Sequence, residues 1–91
     1  MVIINKLKYE LSEKPNKKLK VFYNSKWIHF GDKRYDNYYD KTKLLEGKYD
    51  HLDEDRRRRY LSRATKIKDK NGELTYKNKN SPNYYSINLL W

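Results

Sequence analysis

The 91-residue sequence predicts an α+β fold, a small antiparallel sheet packed with one basic helix and a short C-terminal helix. Three observations carry this reading. Apolar and polar residues alternate with period 2 through the first third of the chain. A helical period sorts apolar and arginine residues onto opposite faces between 53 and 67. A capping signal then opens the most apolar segment, 81–91.

Taken in order, Leu7, Tyr9 and Leu11 alternate with Lys6, Lys8 and Glu10, the pattern of a half-buried strand. Pro15 and Asn16 mark a loop. Leu19, Val21 and Tyr23 then alternate with Lys18 and Lys20, and Phe22 interrupts the polar face. Asn24-Ser25 suits a tight hairpin turn, after which Trp27-Ile28-His29-Phe30 forms a third strand ending at Gly31-Asp32. Residues 1–31 are therefore expected to form a three-strand meander.

Residues 32–52 are loop-rich, with tyrosines scattered among charges and room for one short helix. Asp53, Glu54 and Asp55 open a helix over 53–67, because acids in a first turn complement the helix dipole. On it, Tyr60, Leu61, Ala64 and Ile67 share one face, while Arg56, Arg59, Arg63 and Lys66 share the opposite one. Arg57 falls near the apolar face and is expected to pair internally with an acid such as Asp36 or Asp40. Residues 68–80 read as a turn around Asn71-Gly72, with Leu74-Thr75-Tyr76 as a short strand beyond it. Ser81 and Pro82 fit an N-cap followed by proline at the first helical position. The last residue, Trp91, is expected to be packed rather than frayed.

Composition bounds the function classes. The 22 Lys and Arg against 12 Asp and Glu give a net charge of +10, spread evenly along the chain. Leu, Ile, Val and Phe make up only 21% of residues, at the edge where a highly charged chain fails to fold. Ten Tyr and two Trp supply the missing core material, since each ring buries a large apolar body. One small domain, 1–91, is expected, marginal alone and helped by dimerisation. No run approaches the roughly 18 apolar residues of a membrane span, and the apolar start is too short for a signal peptide. Absence of Cys excludes disulfides and thiolate zinc sites. No phosphate-binding glycine loop, dinucleotide fingerprint or nucleophile elbow is present, and no cofactor is expected.

Three blocks, Trp27-Ile28-His29-Phe30-Gly31, Asp55-Arg56-Arg57-Arg58-Arg59-Tyr60-Leu61-Ser62-Arg63, and Ser81-Pro82-Asn83-Tyr84-Tyr85 with Leu89-Leu90-Trp91, resemble a family of short basic proteins. The family is encoded by large nucleocytoplasmic DNA viruses of amoebae and algae, and its function is largely unassigned. The likeness spans roughly residues 18–91. It implies a viral origin, packaging in the virion with the genome, and presence in the host cytoplasm or nucleus during infection. It implies no catalytic residue. Where members of the family usually carry a His after the Tyr-Leu-x-Arg block, this chain has Thr65.

The expected activity is non-enzymatic binding of nucleic acid, double-stranded DNA first, without strong sequence preference. Arg56, Arg58, Arg59, Arg63 and Lys66 would supply the face, because guanidinium groups grip phosphate bidentately and stay charged. Loop lysines Lys17, Lys18, Lys20, Lys68 and Lys70 would track the backbone. Trp27, Tyr84, Tyr85, Leu89, Leu90 and Trp91 are expected as core or interface anchors of a homodimer that could compact DNA. Two alternatives stand beside this. One is a structural virion protein meeting an acidic protein partner. The other is a metal-dependent nuclease built on Asp32, Asp36, Asp40 and Asp50 with His29 and His51.

Overall fold

Two turns of left-handed residues set the sheet. Asn24 and Ser25 (φ 53° and 63°) close the hairpin expected from sequence. Asn5 and Lys6 (φ 51° and 69°) close a second hairpin that the alternation did not reveal. The computed structural model, which describes all 91 residues, therefore has four strands: β1 (Val2–Ile4), β2 (Leu7–Leu11), β3 (Lys17–Tyr23) and β4 (Lys26–Asp32). They form an antiparallel sheet in the order β1-β2-β3-β4. The expected three-strand meander gains its extra edge from Met1-Val2-Ile3-Ile4, whose unbroken apolar run carries no period-2 signal.

One sheet face carries the core. Tyr9, Leu19, Val21, Ile28 and Phe30 are buried there against Leu45, Tyr85, Leu89 and Leu90. Three rings, Tyr9, Phe30 and Tyr85, meet with centroids 5.8 to 6.4 Å apart, so the tyrosines do supply core volume that aliphatic residues elsewhere would. The opposite face is open except at its Lys18 end. On it Ile3, Lys8, Phe22 and Trp27 form one cross-strand row, and Trp27 is 37% exposed. Trp27 is thus not a core residue: its strand register turns it to the outer face, where it meets Phe22 edge-on at 5.2 Å.

Helix α1 (Glu54–Ala64) starts where the acids predict. The Asp53 side chain caps it by accepting from the Asp55 and Arg56 amides. It ends three residues before the expected Ile67, which is left half exposed. Helix α2 (Pro82–Leu90) is capped by Ser81, as expected. Its C-terminal carbonyls are satisfied by the preceding loop: Tyr38 and Tyr39 donate to Leu90 O, Lys41 N to Leu89 O, and Lys41 Nζ to Asn88 O. The segment 32–52 contains no helix, since Lys43, Glu46 and Gly47 all take positive φ. Leu74-Thr75-Tyr76 is not a strand either. Thr75–Lys77 forms a 3-10 turn, tied to α1 and α2 by Asn83 Nδ2, which donates to Ala64 O and Thr75 Oγ1.

Candidate functional site

The basic helix borders a cleft. Arg56, Arg59 and Arg63 recur every three or four residues along α1 and line one wall of a cavity of about 510 Å³. Lys17, Asp32 and Asp36 come to the same cavity from the end of the β3–β4 hairpin and the loop after it. Tyr60 and Trp91 complete it, and Tyr35 stands at its rim with 66% of its surface exposed. A glycine allows the close approach beneath. At Gly31 (φ 78°) a Cβ would lie 3.0 Å from Leu90 Cδ1 and 3.1 Å from Lys18 Cβ, so a side chain there would be strained by the backbone and would crowd both neighbours.

The arginines differ in what they already hold. Arg56 lies 4.0 Å from Asp36 and Arg58 pairs with Asp55 at 3.1 Å. Arg57 turns inward, but not to Asp36 or Asp40. Its Nε donates to the Trp91 carbonyl oxygen at 2.7 Å, its guanidinium lies over the Tyr38 ring, and Glu54 is 3.6 Å away. Its partners are the end of α2 and the Tyr38 ring of the loop, not the loop acids. Arg59 and Arg63 have no acidic partner, and both face the cleft.

Two of the expected lysines are engaged within the fold. Lys18 is 2% exposed: Nζ donates to Asn37 Oδ1 at 2.8 Å and sits 4.3 Å from the Tyr49 ring centre. Burial pushes its ammonium down to about 8, partly opposed by Asp36 and Asp32. It supports the loop from inside and cannot follow a phosphate backbone. Lys20 is also committed, with its side chain only 14% exposed, bonded to Glu13 at 2.9 Å and lying over Trp27 on the outer face. That contact in turn holds the Glu13 carboxyl below its ordinary range. Of the expected set, Arg56, Arg59, Arg63 and Lys17 converge on the cleft, and the buried Lys18 forms part of its lining. Arg58, Lys66, Lys68 and Lys70 are exposed but do not line it.

The acids do not gather into a cation site. Asp32 is held by the Arg34 guanidinium and amide, which draw it down to about 2. Asp40 is buried and accepts from Thr42 N, Thr42 Oγ1 and Leu45 N, organising the loop. Asp50 accepts from Asn37 Nδ2 and Asp40 N. His29 bonds Ser12 on the sheet, and His51 Nδ1 accepts from Asp53 N at the head of α1. The row of carboxylates on which a nuclease reading rests is thus dispersed among backbone and arginine partners.

The expected anchors divide. Tyr85, Leu89 and Leu90 are core, Tyr84 and Trp91 are half-buried, and Trp27 alone is exposed. Sequence reasoning missed Tyr35 and Asp32 as neighbours of the arginine row and gave Asp36 to Arg57 instead of Arg56, because a loop without period gives no sign of which helix face it meets. Residues 7–42, from β2 through β4 into the following loop, match a family of unknown function (DUF5754). No curated protein and no solved structure matches the chain.

Proposed function

We propose that the protein binds nucleic acid without strong sequence preference, through phosphate contacts made by Arg59 and Arg63 with Lys17, and that it does so as a genome-associated virion component. The observation that carries the reading is the pair of unpartnered guanidinium groups facing one cleft on a chain of net charge +10. A fully paired arginine row would be a solvated or structural face. Here Arg57 and Arg58 take those roles, leaving Arg59 and Arg63 free for an anion. The virion placement rests on the resemblance to viral basic proteins.

Association with a second copy fits the outer sheet face. That surface presents Ile3, Phe22 and Trp27, while Glu10 and Glu13 offset Lys20, so it is near neutral and better suited to an apolar partner than to a polyanion. Dimerisation there would leave the arginine cleft of each copy open and let one particle bridge two DNA segments.

Fluorescence anisotropy of a labelled duplex, titrated with salt, tests the binding. We expect log K to fall linearly with log salt, and Arg59→Ala with Arg63→Ala to reduce the slope by about 0.9 for each lost phosphate contact. No binding near 50 mM salt, or a salt-independent constant, would favour the acidic-protein scaffold instead.

A further inference from the structure

The cavity beside Arg59 is too small to admit a duplex and of the size that holds a small ligand, about 510 Å³ against a usual range of roughly 300–1,000 Å³. Its lining is also two-sided. One wall is cationic, from Arg59 and Arg63, neither of which has an acidic partner. The other side carries Asp32 and Asp36, which Arg34 and Arg56 offset, together with aromatic groups of two kinds. Tyr60 is fixed by stacking on Trp91, with centroids 4.0 Å apart and planes 7° apart. Tyr35, in contrast, is 66% exposed, and among aromatic and charged groups its ring meets only the Arg34 guanidinium. In a chain that spends most of its tyrosines on packing, Tyr35 is the most exposed of the ten, and it lies beside the unpartnered arginines of the cleft.

We infer that the cleft takes a single nucleotide of an unpaired strand, its phosphate on Arg59 and Arg63 and its base on the open ring of Tyr35. The chemistry is that of base stacking combined with phosphate contact, which is tolerant of base identity because every base has a π face. The inference rests on the phosphate-binding reading of the same arginines, and sharpens it: the helix face would hold any backbone, but only an unpaired nucleotide would enter. A strand running on from the cleft has Arg56 and Lys17 beside it for neighbouring phosphates.

Trp91 lines the cleft and can report occupancy. With Trp27→Phe as the background, Trp91 is the single tryptophan and its fluorescence reads the cleft alone. Adenosine 5′-monophosphate, ribose 5-phosphate, a single-stranded adenine hexamer and a duplex are titrated in turn. We expect saturable quenching by the hexamer and, about tenfold weaker, by the mononucleotide, with ribose 5-phosphate weaker again. Tyr35→Ala should weaken hexamer binding about tenfold, the scale of one lost stacking contact. Because Tyr35 is exposed, the melting temperature should hold. Equal affinity for the mononucleotide and ribose 5-phosphate, no effect of Tyr35→Ala, or tighter binding of the mononucleotide than of the hexamer would each overturn the inference. The two readings fail separately. Duplex binding that depends on Arg59 but leaves Trp91 fluorescence unchanged by the hexamer would remove the nucleotide cleft and keep the phosphate face. Loss of all salt-dependent binding would remove both.

Discussion

Tyr60 and Trp91 lie parallel, ring centroids 4.0 Å apart and planes 7° apart, and this stack ties helix α1 to the end of α2. Burial pushes the Tyr60 hydroxyl upward, as expected of a ring held between two elements. His51 packs on Trp91 at 5.1 Å, and Arg57 bonds its carbonyl oxygen. The other contacts of α1 are the buried Ala64 with the Asn83 amide bonded to its carbonyl, and, at the exposed first turn, Glu54 and Arg57 on Tyr38 and Arg56 near Asp36. Trp91→Ala should therefore cost about 2–3 kcal/mol, less than the loss from a fully buried tryptophan because Trp91 is half-buried. Urea unfolding measures it. A loss below about 0.5 kcal/mol would mean that α1 is held elsewhere.

Arg57 and Arg59 should separate stability from binding. Arg57→Ala deletes a hydrogen bond to the Trp91 carbonyl and a cation contact with Tyr38, and should destabilise by about 1–2 kcal/mol with an unchanged salt slope. Arg59→Ala removes no internal partner and should leave the melting temperature unchanged while lowering the slope. Circular dichroism melts alongside salt titrations distinguish the two. A slope that falls equally in both variants would show that the helix acts through bulk charge and not through the cleft face.

Much of the fold was legible because its signals are local. The Asn24-Ser25 turn, the acid-led start of α1 and the Ser81-Pro82 start of α2 depend on residues within a few positions of one another, and each formed where expected. β1 was not legible. Val2, Ile3 and Ile4 are uniformly apolar, although Ile3 is exposed, so no alternation marks the strand. The arginine row of the cleft was likewise readable from the helical period. The burial of Lys18 was not legible because a strand's polar face normally meets water, whereas here the loop residues Asn37 and Tyr49 cover it. The aromatic rim was out of reach for the same reason: no periodicity in 32–52 says where Tyr35 lies.

The outer sheet face gives the test of self-association. Trp27→Lys places a charge in the row Ile3, Phe22, Trp27 without touching the core on the other face. Sedimentation velocity should show a shift from dimer to monomer, with far-UV circular dichroism unchanged. Persistence of the dimer would move the interface to another surface.

On the acid side, burial holds the His51 imidazole below its ordinary value near 6.5, with Arg56 adding to the effect, and His29 is lowered by burial and Lys14. As pH falls below about 6.5 the unfolded chain takes up protons that the native chain refuses, so stability should fall. Protonating His51 Nδ1 would also break its bond from Asp53 N, at the head of α1. His51→Phe should flatten part of this fall between pH 6.5 and 5 and cost about 0.5–1 kcal/mol at pH 7 for the lost bond. An unaltered acid slope in that variant would assign the effect to His29.

On the alkaline side, Lys18 and the buried tyrosines act in opposite directions. Lys18 titrates near 8 in the folded chain and near 10.5 when unfolded, so between these values the unfolded state binds more protons and stability rises with pH. The gain by pH 10 should be roughly 2 kcal/mol. Above pH 10 the sign reverses. Burial lifts Tyr9 to about 12 and Tyr85 higher still, so the unfolded tyrosines release protons first and the folded state loses ground. Chemical denaturation at intervals from pH 7 to 11 should therefore trace a maximum near pH 10. In Lys18→Met the rise should vanish while the fall above pH 10 remains, and a rise that survives in the variant would locate the titrating group elsewhere.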